Sequence, residues 1–367
     1  IYVLNAMSKG RARVHTMQGG LSFWSHMDIT EVGNQHRASL LKSIRTQKLL
    51  FLSALIIKER YVSFPPKERC IGLLFFEKFE RRRLETTGTE INVVIGGAGP
   101  PVLLLHGYPQ SHVMWHKMAP MFANSHTVIA TDLRGYGESG KPPGGIDHAG
   151  FSKRASAEDQ IQVMKQLGYD DFCLVGHDRG ARVGHRLALD YPGAVRKFVS
   201  LDVIPTTQIF TSVDRATAEA YFHWFLMLQP EPLAETLIGN SPDFYLRWLL
   251  DRWSSTPGAI LEEVYQEYLK SFTQPGAIHS MCEDYRAVDV DMRHDTEDGD
   301  KKINCPVLAL WGSRQSQHPG WPSMHLDVVK EWKKCAYDVR GWGIDCGHFM
   351  PEEAPEATFA AIIDFLA

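Results

Sequence analysis

Paired cysteines, long apolar runs and net charge of one sign are all scarce in this sequence of 367 residues. Six cysteines (Cys70, Cys173, Cys282, Cys305, Cys335, Cys346) are scattered, and no two form a C-x-x-C pair. That pattern excludes a zinc ribbon, offers no disulfide framework, and suits a reducing compartment such as the cytoplasm. No apolar stretch reaches the roughly 18 residues that a membrane span needs. The formal charge is only −4, without the basic excess of a nucleic-acid surface. Internal repeats and low-complexity tracts are absent too. What remains, 44% hydrophobic and 22% charged residues, is the composition of a globular protein with a sizeable core.

The charge is unevenly placed. Residues 1–60 carry nine Lys/Arg against three Asp/Glu, a net of +6, which leaves −10 for the remainder. The first residue is Ile, and an apolar run, LLFLSALII at 49–57, follows the basic stretch. Residues 1–74 therefore read as an extension, either targeting, as basic acid-poor leaders are, or disordered or non-native. From about residue 75 short β-rich runs alternate with helical ones. Strands are expected at 91–95, 102–106, 127–131, 172–176, 198–202, 307–311 and 337–340, with crossover helices at 156–167 and 180–191. Their continuously apolar centres indicate buried strands of a mainly parallel sheet, an α/β fold covered on both faces. Between 205 and 302 the strands stop and aromatic, helical text takes over (216–228, 243–253, 261–272, 278–288). The expected organisation is a core of 75–204 and 303–367 with an inserted helical cap at 205–302. The cap would lie over the sheet's carboxyl edge, where ligands bind in open α/β sheets.

Chemistry concentrates at Gly176-His177-Asp178-Arg179-Gly180, between a predicted strand and a predicted helix. This is the strand–turn–helix context of a nucleophile elbow, with Asp in the Ser position. A carboxylate is a poor acyl-transfer nucleophile. It can displace a leaving group at an alkyl carbon, forming an ester that water then cleaves. That disfavours lipases and peptidases and leaves dehalogenases and epoxide hydrolases. The base is expected late in the chain, and His348 follows the last predicted strand. The usual acid position, after strand 307–311, holds no carboxylate until Asp327. Asp202, ending strand 198–202, is the candidate that orients His348. The amides of Tyr108 and Arg179 are the candidate oxyanion hole, Tyr108 because it follows strand 102–106. His106 and Pro109 would shape that loop, and the Tyr108–Pro109 bond is of the X-Pro kind that tolerates cis. Arg179 and Arg182 flank the candidate nucleophile, Arg182 one helical turn on. Two guanidiniums there call for an anion, such as a small acid's carboxylate.

The segments HGYPQ (106–110), DLRGYGES (132–139), GHDRGAR (176–182), LDVIPT (201–206), YFHWF (221–225) and EDYRA (283–287) resemble the haloacetate dehalogenase family of the α/β-hydrolase superfamily, over about 290 residues from Phe75 onward. The resemblance implies a halide pocket of His223, Trp224 and Tyr285, whose imidazole, indole and phenol each supply a donor. It implies Asp178 as nucleophile, His348–Asp202 as the base pair, a small anionic haloacid as substrate, a homodimer, and no metal or organic cofactor. Two other readings stay open. An epoxide hydrolase would use the same Asp/His machinery, with Tyr221 and Tyr285 protonating the epoxide oxygen. A catalytically drifted binding protein would keep the pocket without turnover. The loop 313–323, with Gln315, His318, Pro319 and Trp321, departs from the family pattern near the expected site.

Overall fold

The computed structural model describes residues 2–6, 11–18, 21–28, 75–210, 213–314 and 326–367. The chain forms two compact units, Ile1–Arg69 and Cys70–Ala367. In the first, strands β1 (Tyr2–Ala6), β2 (Arg11–Gln18) and β3 (Leu21–Asp28) make an antiparallel sheet in the order β1-β2-β3. The sequence reading gave this stretch no secondary structure. The apolar run at 49–57 lies outside the described residues.

The second unit is built on an eight-stranded sheet of order β11-β10-β9-β8-β6-β7-β5-β4. Its strands are β4 (Glu80–Glu85), β5 (Glu90–Gly97), β6 (Pro101–Leu105), β7 (Thr127–Thr131), β8 (Phe172–His177), β9 (Val195–Leu201), β10 (Val307–Gly312) and β11 (Val339–Ile344). From β7 to β11 all neighbours are parallel, whereas β5 pairs antiparallel with both β4 and β7. The central strands read as unbroken apolar runs because both faces are covered: every residue of β7 and β8 is buried. The antiparallel edge strand β4, Glu-Arg-Arg-Arg-Leu-Glu, is almost wholly exposed and was not expected from the sequence. Its charges suit an edge, where they discourage pairing with another chain.

Two crossover helices, α1 (Lys153–Gln166) and α2 (Arg179–Asp190), pack against each other, and α2 covers β8 and β9. Ser152 caps α1 through its hydroxyl, which accepts from the Ala155 amide at 3.2 Å. Between β9 and β10 come α3 (Thr206–Phe210), α4 (Arg215–Ala220), α5 (Phe222–Met227), α6 (Leu233–Gly239), α7 (Pro242–Trp253), α8 (Glu262–Phe272), α9 (Ala277–Arg286) and α10 (Val288–Asp298). In α7 the buried residues Leu246, Leu249, Leu250 and Trp253 fall at helical spacing and make one apolar stripe. The single helix expected over 216–228 is instead two, α4 and α5, broken at Tyr221, whose φ of −100° and ψ of 25° are not helical. After β10 come α11 (Val328–Cys335), against β10 and β11, and α12 (Pro355–Leu366). No helix of the described residues is long and apolar enough to cross a membrane.

Candidate active site

The carboxyl ends of β6, β8, β9 and β11 lead directly into Tyr108, Asp178, Asp202 and His348. Parallel register is what gathers residues 24 to 240 positions apart at one edge of the sheet. Asp178 occupies the sharp turn between β8 and α2, with φ of 48° and ψ of −117°. A side chain in that conformation is strained, and such strain concentrates at functional sites. The turn is held at the backbone: the Asp178 amide donates to Leu201 O at 3.2 Å, and Asp178 O accepts from the amides of Ala181 and Arg182. It also needs glycine nearby. A Cβ on Gly180 would lie 2.4 Å from the carbonyl oxygens of both Leu105 and His106, and one on Gly107 would lie 2.4 Å from Asp178 Cβ. Only glycine lets the β6 loop approach the elbow this closely.

That approach has a chemical result. The Tyr108 amide donates to Asp178 Oδ1 at 2.9 Å. The Arg179 amide, at the first position of α2, belongs to the turn whose N–H groups have no partner within the helix. The two oxygens of Asp178 are thereby distinguished: Oδ1 accepts from a backbone amide of the neighbouring loop. The Tyr108–Pro109 bond is cis. His106 works on the same loop, its Nε2 accepting from the Leu133 amide at 3.0 Å while Nδ1 lies 3.0 Å from Gly107 O.

His348 Nδ1 lies 2.6 Å from Asp202 Oδ2, and Asp202 Oδ1 accepts from the Gly312 amide at 2.9 Å. A carboxylate can only accept, so Nδ1 carries the proton and Nε2 is the basic nitrogen. Asp202 also has a positive φ, 55°, fixed by its amide donating to Leu310 O. Burial works against charging His348, but the hydrogen bond and charge of Asp202, with the charge of Asp178, hold its pKa above the ordinary 6.5. Asp178 stays below the ordinary carboxylate value: burial would raise it, and the charges of His348, His177, Arg182 and Arg179 outweigh that. His177, between β8 and the elbow, is pushed down to about 4 by burial and by His348. It packs on the His348 ring at 4.5 Å, with Nε2 2.9 Å from the His348 carbonyl.

The two arginines, read from the sequence as a pair, differ. Arg179 Nε donates to Asp284 Oδ2 at 2.7 Å and its Nη2 donates to Asp284 O, so one edge of the guanidinium is taken. Arg182 is 4% exposed and among the described residues donates only to neutral oxygens: Nη1 to Ile204 O at 3.1 Å and Thr206 Oγ1 at 2.7 Å, with Nε unpartnered among them. Both lie over aromatic rings, Arg179 at 4.1 Å from the Tyr285 centroid and Arg182 at 4.7 Å from that of Trp224.

Above the elbow the cap supplies an aromatic wall. The His223 ring lies 5.9 Å from Tyr108 and parallel to it, 5.7 Å from Tyr285, and 4.6 Å from Trp253. Trp224 lies 5.6 Å from Tyr285. His223 Nδ1 and Tyr285 Oη are buried without a protein partner. Burial also presses His223 down to about 3, so the ring is neutral at ordinary pH. Trp253 had no assigned place in the sequence reading; its ring stands edge-on to His348 at 5.5 Å. Asp284 was missed as well, although it directly precedes Tyr285 in the motif that drew attention to the tyrosine. Gln315, His318, Pro319 and Trp321 lie outside the described residues. Chemically the arrangement offers a carboxylate with one oxygen held, a buried His–Asp pair, two buried arginines and a cluster of aromatic rings in which His223 Nδ1 and Tyr285 Oη have no partner among the described residues.

Comparison with known proteins places the chain in a family. A family model described as the alpha/beta hydrolase fold matches residues 100–355. Fluoroacetate dehalogenase from Burkholderia sp is 42% identical over 294 residues, 80% of this chain and 95% of that protein. Soluble epoxide hydrolase from Corynebacterium sp. (strain C12) is 34% identical over 289 residues, 76% of this chain and 94% of that protein. Among solved structures, an alpha/beta hydrolase from Nostoc sp PCC 7120 superposes with a TM-score of 0.77 at 50% identity, covering 80% of this chain and 99% of its own.

Proposed function

The chain belongs to the α/β-hydrolase family, and from that premise we propose that it hydrolyses the carbon–halogen bond of small 2-haloacids such as fluoroacetate or chloroacetate, giving glycolate and halide. The observation that carries this reading is Arg182. A buried guanidinium with no carboxylate of the described residues within 4 Å is costly unless a bound anion completes it. The 42% identity to fluoroacetate dehalogenase supports the same substrate class.

In this mechanism the substrate carboxylate docks on Arg182 and on the open edge of Arg179. Asp178 Oδ2 attacks C2, and the C–X bonding pair leaves with the halide. The departing ion takes hydrogen bonds from His223, Trp224 and Tyr285, which replace its hydration as charge develops. Water then attacks the Asp178 carboxyl carbon while His348 Nε2 takes its proton and Asp202 stabilises the imidazolium. The tetrahedral oxyanion forms on Oδ1, where the Tyr108 and Arg179 amides meet it. Such a donor contributes roughly 3–4 kcal/mol of transition-state stabilisation. Collapse expels glycolate and restores the aspartate with one oxygen drawn from water.

An epoxide hydrolase would use the same nucleophile and base, and the unpartnered hydroxyl of Tyr285 and the 34% identical relative favour it as the second reading. Free fluoride and chloride are to be followed with wild type and Asp178→Asn. Release by wild type alone is expected. No release from either acid, together with turnover of epoxides, would replace the first reading by the second.

A further inference from the structure

Arg179 does not face the substrate chamber as a lone cation. It ends a buried chain of charges that crosses from core to cap. Asp284, on α9, accepts from Arg179 Nε at 2.7 Å, from Tyr136 Oη at 2.8 Å and from Lys153 Nζ at 2.7 Å. Lys153, at the start of α1, also lies 3.3 Å from Asp291 Oδ2 on α10, and its amide donates to Asp291 Oδ1 at 2.7 Å. Arg179, Lys153, Asp284 and Asp291 are all less than 10% exposed. Two cations and two carboxylates balance, so the network is neutral within itself. Each oxygen of Asp284 that Arg179 uses has a second donor: Tyr136 Oη on Oδ2 and Lys153 Nζ, at 3.4 Å, on the carbonyl.

We infer that Asp284 is a positioning residue for substrate binding. By occupying the Nε–Nη2 edge of Arg179 and compensating its charge, it turns the Nη1 side to the bound carboxylate, while Arg182 has no carboxylate of the described residues within 4 Å. This inference rests on the haloacid reading above and extends it: the acid's carboxylate is recognised by one arginine that is ion-paired to Asp284 and by a second, Arg182, that is held by neutral oxygens, in unequal roles. Arg179 could not hold its orientation through the Tyr285 ring alone, because a cation over a ring face is free to rotate in plane, whereas two hydrogen bonds to one residue fix it.

Two measurements test it. In the otherwise wild-type chain, Asp284→Asn is expected to raise KM for chloroacetate about tenfold while kcat stays within about threefold, because Asp284 touches neither Asp178, His348 nor Asp202. Damage to the fold would instead lower kcat through the active fraction with KM unchanged, and that result would overturn the inference. Asn leaves Lys153 short of a partner, so the charge-balanced Asp284→Asn/Lys153→Met variant is to be measured beside it and is expected to show the same rise in KM. Separately, chloroacetate binding is titrated calorimetrically in Asp178→Asn, where no ester forms, with and without Asp284→Asn. A tenfold weaker Kd is expected. Binding by the Asp178→Asn parent that is unchanged or tighter on removing Asp284 would overturn the positioning role alone. No binding by that parent would remove the haloacid reading and this inference together.

Discussion

Asp178 presents two chemically unequal oxygens because one backbone amide, that of Tyr108, reaches only Oδ1. The same asymmetry sets what each partner must do. If His348 serves only the second half-reaction, His348→Gln will still be alkylated and will then stall. Mass spectrometry after exposure to fluoroacetate should find Asp178 carrying one carboxymethyl group, with halide release limited to a single equivalent. The base must be neutral to act, and Asp202 and Asp178 hold His348 above 6.5. Turnover should therefore rise with pH through a midpoint above 6.5, whereas an unassisted imidazole would titrate at 6.5 or, being buried, below it. Arg182 is the second residue with a definite expectation. Arg182→Gln removes a charge-assisted contact worth about 1.5–3 kcal/mol, so KM for either haloacid should rise by roughly 10- to 100-fold. Chloroacetamide, which has no carboxylate, should be affected far less in the same assay.

Among the elements, the β8–α2 elbow tolerates least. Gly180→Ala would put a methyl group 2.4 Å from two backbone oxygens that belong to the neighbouring loop. Neither can move without displacing Tyr108 and its amide. Halide release should fall by more than 100-fold, well beyond the thermal destabilisation seen by calorimetry, because the oxyanion donor is misplaced even in molecules that stay folded. The elbow was legible in the sequence because its requirements are local: a strand, two glycines, a helix. Asp202 was legible because it closes a predicted strand and His348 because it follows the last one, so topology brings them to one edge. What the sequence could not disclose is pairing across the fold. Arg179 and Asp284 are 105 positions apart, and nothing in either segment announces the other. Hence the two arginines read as equivalents. Strand β4 escaped for a different reason: an exposed edge has no alternation to read, and Glu-Arg-Arg-Arg-Leu-Glu resembles a loop. The break at Tyr221 was hidden because residues 216–228 are apolar at helical spacing on both sides of it.

At the scale of the molecule, the second compact unit is joined across its cap by a further buried acid, Glu352. Glu352 is 1% exposed and accepts from Tyr268 Oη on α8 at 3.0 Å and from Gln110 Nε2, just past the oxyanion loop. Burial raises its pKa to about 8 from an ordinary 4.5, despite the hydrogen bond from Tyr268 and the charge of Lys117. A carboxyl raised in the folded state stabilises it only while protonated. Its contribution is complete below about 4.5, where both states hold the proton, and is lost as pH rises to about 8. Over that window the loss is on the order of a few kcal/mol. Urea unfolding at a series of pH values should show Glu352→Gln gaining on wild type as pH rises from 5 to 8, and parallel curves for the two proteins would count against the shift.

The cap begins a few residues after Asp202 and ends a few residues before β10, whose last residue, Gly312, holds that same aspartate. Such a placement invites the view that 205–302 is an exchangeable module, a specificity cassette set into a constant engine. The Asp284 network denies it that independence. A cap borrowed from a relative that lacks a carboxylate at this position would strand Arg179, and would leave Lys153 leaning on whatever it offers in place of Asp291. Successful chimaeras will be those that carry Lys153 and Asp284 across together. Natural drift in substrate range should have been constrained in the same way, by residues on both sides of the seam changing in concert.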